Sequence, residues 1–166
     1  MKIIGKGQFT TAYRKNAHTV LLKSTDPIKE CMSLGWFPDS HLFPKITRIS
    51  SNENLSIYEM KYYPKVKSLK HALKSKHYEY YKALRKLFED NCFHASSIDN
   101  LYFMWYKIFS TTDTLPKHIK KHLLDALDAC SNYGTAIAFE ISPRNVAVSK
   151  TGGLILLDCF LDASKL

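Results

Sequence analysis

Asn145 and Asp158 are hard oxygen ligands of the kind that hold a divalent metal, and both lie in one short stretch, "EISPRNVAVSKTGGLILLD". Asn145 comes five residues after Glu140, and Asp158 ends the strand returning from a hairpin turned at Thr151–Gly153. The loop before one strand and the end of its neighbour face the same side. The pair can therefore present oxygens to Mg²⁺ carried on a nucleotide. Polar residues flanking a hairpin are common, so partners are needed elsewhere in the chain. At the other end, "IIGKGQFTTAYR" places Gly5 and Gly7 among β-formers. Such a segment is either a tight turn using backbone angles a Cβ would forbid, or a loop that closes over phosphate. Lys23 lies further along, in "TVLLK", and completes the set with Gly5 and Gly7.

The elements that position these residues can be read from patterning. Residues 1–63 read as short strands, at Ile3–Phe9, Ala12–Tyr13, "TVLLK", "KITRIS" and "LSIYEMKYY", with a short helix near "DPIKECMSLGW". Asp26 suits that helix as its cap, Pro27 its first turn and Gly35 its stop. Helical spacing then predicts helices over Leu69–Phe88, Ile98–Phe109 and Pro116–Asn132, ended by Gly134, before strands return at "TAIAFEI" and "VAVSKTGGLILLD". A strand-rich front, a helical middle and a late hairpin predict an α+β protein with a cleft between two lobes.

Composition narrows the function classes. The 166 residues carry a formal net charge of +9, which favours an acidic partner: nucleotide phosphate, nucleic acid or an acidic protein face. Most of the excess lies in "KYYPKVKSLKHALKSKHYEYYKALRKLF", with a second cluster in "KHIKKH". Leu69, Ala72, Leu73, Tyr80, Tyr81, Leu84, Leu87 and Phe88 recur there at helical spacing, which assigns the tyrosines to the core and the lysines to a solvated face. The charge does not choose between a nucleotide and an acidic protein face, and specific nucleic-acid binding is not expected. No apolar run has the length of a membrane span and "MKIIGKGQF" lacks a secretory signal's apolar stretch, so a cytoplasmic protein without membrane partners is expected. Cys31, Cys92, Cys130 and Cys159 form no C-x-x-C pair and read as reduced core thiols. His118 and His122 have metal-binding spacing, but no glutamate follows the first and lysines flank both, so they read as surface histidines.

In their order along the chain, these motifs resemble the small protein kinase-like proteins of tailed bacteriophages. "GKGQFTTAY" resembles a glycine-rich loop and the strand after it, "VLLK" the strand of the nucleotide lysine, "EISPRN" the end of the catalytic loop, and "LLDCF" the metal-binding D-F-G. The resemblance runs from Gly5 to Phe160. It implies one kinase-like domain over 1–166, with a strand-rich lobe over 1–63 and a helical lobe carrying the catalytic hairpin over 64–166, truncated after the D-F-G position. It implies ATP and Mg²⁺ as cofactors and a host protein as substrate or target. Carried over residue by residue, Gly5, Lys6, Gly7, Gln8 and Phe9 would cover the phosphates and Lys23 would pair with them. Glu30 would hold Lys23, or is simply a helix-surface glutamate. Glu59, Met60 and Lys61 would form the adenine hinge, Asn145 and Asp158 would hold the metal, and Glu140 would stand in the place of the catalytic aspartate.

Three departures from the family pattern follow. Thr10 replaces the third glycine; Glu140, preceded by Ala138 and Phe139, replaces the aspartate with its histidine and arginine; and eight residues follow Asp158, too few for an activation segment and helical platform. Two readings stay open: an active serine/threonine kinase, or a pseudokinase that binds and inhibits a host or defence protein. Retention of Lys23, Asn145 and Asp158 favours the first.

Overall fold

The computed structural model describes residues 1–92 and 97–166. The chain is α+β, opening with an antiparallel sheet of β1 (Lys2–Lys6), β2 (Thr10–Arg14), β3 (Thr19–Ser24), β4 (Ile46–Ser51) and β5 (Ser56–Lys61) in the order β1-β2-β3-β5-β4. Helix α1 (Pro27–Ser33) leaves β3 and packs against the sheet. Its start follows from local chemistry: the Asp26 carboxylate accepts the Ile28 N–H at 2.9 Å, Pro27 occupies the first turn, and Gly35 turns the chain away at φ 76°.

Alternation along β3 decides which side chains meet α1. Val20, Leu22 and Ser24 are buried, and Val20 and Leu22 pack with Met32, Ile46 and Tyr58. Burial of each such apolar side chain contributes about 1.5–3 kcal/mol as an upper estimate. Leu21 and Lys23 stand on the opposite face. The pairing shifts register twice, between Ile3 and Gly5 in β1 and between Arg48 and Ser50 in β4, so each edge strand carries a bulge.

Past the sheet come α2 (Leu69–Ala72), α3 (Ser75–Asn91), α4 (Leu101–Thr111) and α5 (Lys117–Cys130), then β6 (Ile137–Phe139), β7 (Val146–Val148), β8 (Leu154–Leu156) and β9 (Phe160–Asp162). β7 and β8 form the expected hairpin, and β6 pairs with β9. The second core is built around Trp105 and Phe109 of α4, Phe139 of β6 and Phe160 of β9, with the Phe109 and Phe139 rings edge-on at 5.1 Å. Leu123, Ala126, Leu127 and Cys130 of α5 close it at helical spacing. None of the described helices is long and apolar enough to cross a membrane.

The continuous helix expected over Leu69–Phe88 is broken. Leu73 is extended, at φ −77° and ψ 143°, and the Lys74 N–H donates to the Gly152 carbonyl at 2.9 Å. The β7–β8 turn thus takes the hydrogen bond that would have carried the helix on. Gly152 has φ 81°, and a Cβ there would come within 3.2 Å of the Lys74 backbone nitrogen, so glycine is required for both angle and approach.

His77 pins the same hairpin, its Nδ1 accepting the Leu154 N–H at 3.0 Å. That bond needs Nδ1 unprotonated, and burial, with Lys74 and Lys76 nearby, pushes the His77 pKa below its usual value. Protons therefore bind the unfolded chain more readily. This contribution to stability is complete above the unfolded value, about 6.5, and is lost as pH falls toward the lower folded value. The melting temperature is expected to drop on acidification through this window, and His77→Gln to flatten that part of the profile. Parallel curves for the parent and His77→Gln would refute the assignment.

Candidate functional site

Two backbone contacts bring the late motif together. The Glu140 N–H donates to the Cys159 carbonyl at 2.9 Å, continuing the β6–β9 pairing, and the Leu157 N–H donates to the Asn145 carbonyl at 2.8 Å, continuing the β7–β8 pairing. Glu140 and Asn145 are thereby set beside the segment 157–159 that carries Asp158. Both are half-buried, and among the described residues neither side chain has a hydrogen-bond or ion-pair partner. The donor set is two carboxylates and an amide oxygen, chemistry suited to Mg²⁺.

Asp158 has a partner the sequence did not indicate. Lys29, on α1, places Nζ 3.0 Å from Asp158 Oδ1 and 3.4 Å from the Leu157 carbonyl. Lys29 is 4% exposed, whereas the Asp158 side chain is 46% exposed. Burial alone would lower the Lys29 pKa, but the carboxylates of Asp158 and Asp26 more than offset it and hold the ammonium above its usual value. Asp26 shifts upward, through its own burial and the nearby Asp158 and Asp162, against the pull of Lys29. The neighbouring Cys159 thiol is pushed up by burial and the Asp158 charge, which makes it a packing group and not a nucleophile. Ile28, Lys29, Met32, Phe43 and the segment 156–160 enclose a crevice of only about 10 Å³, room for about one water.

The residues expected at the front of a nucleotide site are less gathered. Lys23 points away from α1, with Nζ 5.0 Å from the Tyr13 ring centroid. The inward position beside it belongs to Ser24, whose Oγ lies 2.6 Å from Thr10 Oγ1 and accepts the Asp26 N–H at 3.0 Å. Glu30 does not hold Lys23: its carboxylate lies 3.7 Å from Arg48 Nη1 and accepts the Tyr133 hydroxyl at 3.4 Å. The reason is strand parity, since Lys23 and α1 lie on opposite faces of the sheet.

Lys6, Gly7 and Gln8 lie exposed at the β1–β2 turn, with Gly5 on β1 and Phe9 half-buried. Neither glycine has positive φ, and a Cβ on either would make ordinary contacts, so unusual backbone angles do not explain them. The Gly7 N–H already donates to the Thr10 carbonyl at 2.8 Å. On the hinge side, Glu59 and Met60 are paired with β3 and β4, and Lys61 with Thr19. Their main chain is taken up within the sheet, and the Glu59 carboxylate bonds Lys15 Nζ at 2.7 Å.

The lysine face meets the structure as expected, and the histidine reading holds for His118 alone. Tyr80, Tyr81 and Leu84 are buried while Lys70, Lys74 and Lys76 are exposed. His118 is exposed, and the half-buried His122 pairs through Nδ1 with Ser40 Oγ at 2.9 Å. Lys70, His71, Leu73, Tyr78 and the ion pair of Glu79 with Lys82 line a groove of about 580 Å³ across α2 and α3. No protein-family model matches the chain, and no curated protein matches its sequence.

Proposed function

We propose that the chain is a serine/threonine protein kinase of the small phage type, with a two-lobed kinase-like fold, transferring the γ-phosphoryl group of ATP to a host protein in the host cytoplasm. The observation that carries this reading is the convergence of Glu140, Asn145 and Asp158 through the bonds Glu140 N–H to Cys159 and Leu157 N–H to Asn145. Glu140 would accept the proton of the substrate hydroxyl, and Asn145 and the exposed Asp158 carboxylate would hold Mg²⁺, which neutralises developing phosphate charge. In the groove across α2 and α3, Glu79 already pairs with Lys82 at 2.8 Å, so Lys70 is the lysine left to meet an acidic segment of the protein substrate.

The pseudokinase reading has an observation of its own. The Lys29 ammonium occupies Asp158, and the crevice behind it is too small for a nucleotide as it stands. Incubation with γ-labelled ATP, Mg²⁺ and bacterial lysate separates the two. The expected result is label on discrete bacterial proteins, lost on chelation. It should also weaken as salt shortens the Debye length below about 8 Å and screens the groove. Nucleotide binding without any transfer would sink the kinase and leave the inhibitory binding protein.

A further inference from the structure

The geometry points to Lys29, and not Lys23, as the lysine that meets the nucleotide's phosphates, its ammonium exchanging Asp158 for phosphoryl oxygens when Mg·ATP enters. The inference rests on the kinase reading and names the cation of that site.

Strand parity excludes Lys23. β3 is held between β2 and β5 over its whole length, with Val20, Leu22 and Ser24 turned inward. Bringing Lys23 to that face needs a slip of one residue, which would send Val20 and Leu22 into water and break the Ser24 contacts to Thr10 and Asp26. Lys29 is already in place. It projects from a capped helix and reaches Asp158 with Nζ at 3.0 Å, although 129 residues separate the two.

An ammonium has three N–H donors, and the described partners of Lys29 are the Asp158 carboxylate and the Leu157 carbonyl, which leaves one donor for a further oxygen. Asp158 is exposed enough to take a metal. If Asp158 holds a divalent ion, the Lys29 ammonium would lose its carboxylate, and the phosphate oxygens of the nucleotide would supply the replacement acceptors. The ion pair is thus a closed state, and its parting would free the ammonium to meet phosphate oxygens at the exposed side of Asp158, not within the crevice behind it, which has room for about one water.

The test uses Mg·ATP on the intact protein, with NMR of lysine side-chain ¹⁵Nζ. The Lys29 ammonium, buried and hydrogen-bonded, should shift on titration while that of Lys23 stays fixed. Lys29→Met should bind Mg·ATP about 10- to 100-fold more weakly, the loss expected for a hydrogen-bonded charge, and Lys29→Arg should recover part of it. Lys23→Met should bind like the parent. If Lys29→Met fails to fold, the titration of the parent decides. A parent that binds Mg·ATP with the Lys29 signal unmoved, or a Lys23→Met variant that alone loses binding, overturns this assignment and leaves the kinase reading standing. A parent that binds no nucleotide overturns both.

Discussion

Glu140→Gln is expected to lower phosphoryl transfer by about 10²- to 10⁴-fold, the usual contribution of a positioned general base, while leaving the fold and Mg·ATP affinity unchanged. The fold should survive because the main chain, not the carboxylate, ties this residue to Cys159. Among the described residues the carboxylate has no hydrogen-bond or ion-pair partner whose loss would be felt. Affinity should survive because, in the proposed site, Asn145 and Asp158 and not Glu140 would hold the metal. Glu140→Asp separates two cases. It shortens the side chain by one methylene and withdraws the carboxylate by about 1 Å, a displacement that can change a rate on the order of a hundredfold. A faster Glu140→Asp means the backbone is still set for aspartate; a slower one means the loop has settled around glutamate. Transfer by Glu140→Gln at the parent's rate would show that Glu140 is no base.

Asp158→Ala should destabilise the protein even without nucleotide. It leaves the buried Lys29 ammonium without its carboxylate. Breaking a fully buried pair costs about 3–5 kcal/mol, and with Asp158 half exposed and Asp26 still nearby the expected loss is about 2–3 kcal/mol. Denaturant unfolding measures it. Lys29→Met combined with Asp158→Ala should be more stable than Asp158→Ala alone, because no orphaned charge remains. Additive losses in this cycle would show that the 3.0 Å contact couples the two residues weakly. Nucleotide affinities of these variants must be compared at equal fraction folded, since part of any loss would otherwise come from unfolding.

Much of the architecture is legible where chemistry is local. The alternating strands of the front, the Asp26-Pro27 helix start, the Gly134 stop at φ 120° and the late hairpin all follow from their own residues. What escapes is decided at a distance. Leu69, Ala72, Leu73 and Tyr80 keep helical spacing straight through the break after Ala72, because the agent of the break is the Gly152 carbonyl, 78 residues away from Lys74. Strand β9 is three residues long and exists by pairing with β6.

The same division runs through the candidate site. Glu140 joins the others through the β6–β9 pairing, whereas Asn145 and Asp158 can be placed together from the hairpin alone. The face on which Lys23 falls cannot, since Val20, Leu21 and Leu22 are all apolar and either parity suits them; Ser24, bonded to Thr10 and Asp26, settles it. Lys29 is hidden for another reason. A lysine on a short helix ordinarily belongs to the solvated face, and only the carboxylates of Asp158 and Asp26 make its burial tolerable.

The two register shifts in the front sheet bear on self-association. An open strand edge is a template for a second copy or a foreign strand, and both edges here are spoiled. β1 is bulged between Ile3 and Gly5 and flanks that bulge with Lys2 and Lys6; β4 is bulged between Arg48 and Ser50. Ile3 and Ile49 are left exposed beside those bulges instead of continuing a flat apolar ribbon. An incoming strand would meet interrupted hydrogen-bond spacing at either edge, and at β1 the positive charge of Lys2 and Lys6 as well. Edge-to-edge stacking into fibrils or swapped dimers is disfavoured, and a protein that docks here must recognise side chains instead of extending the sheet.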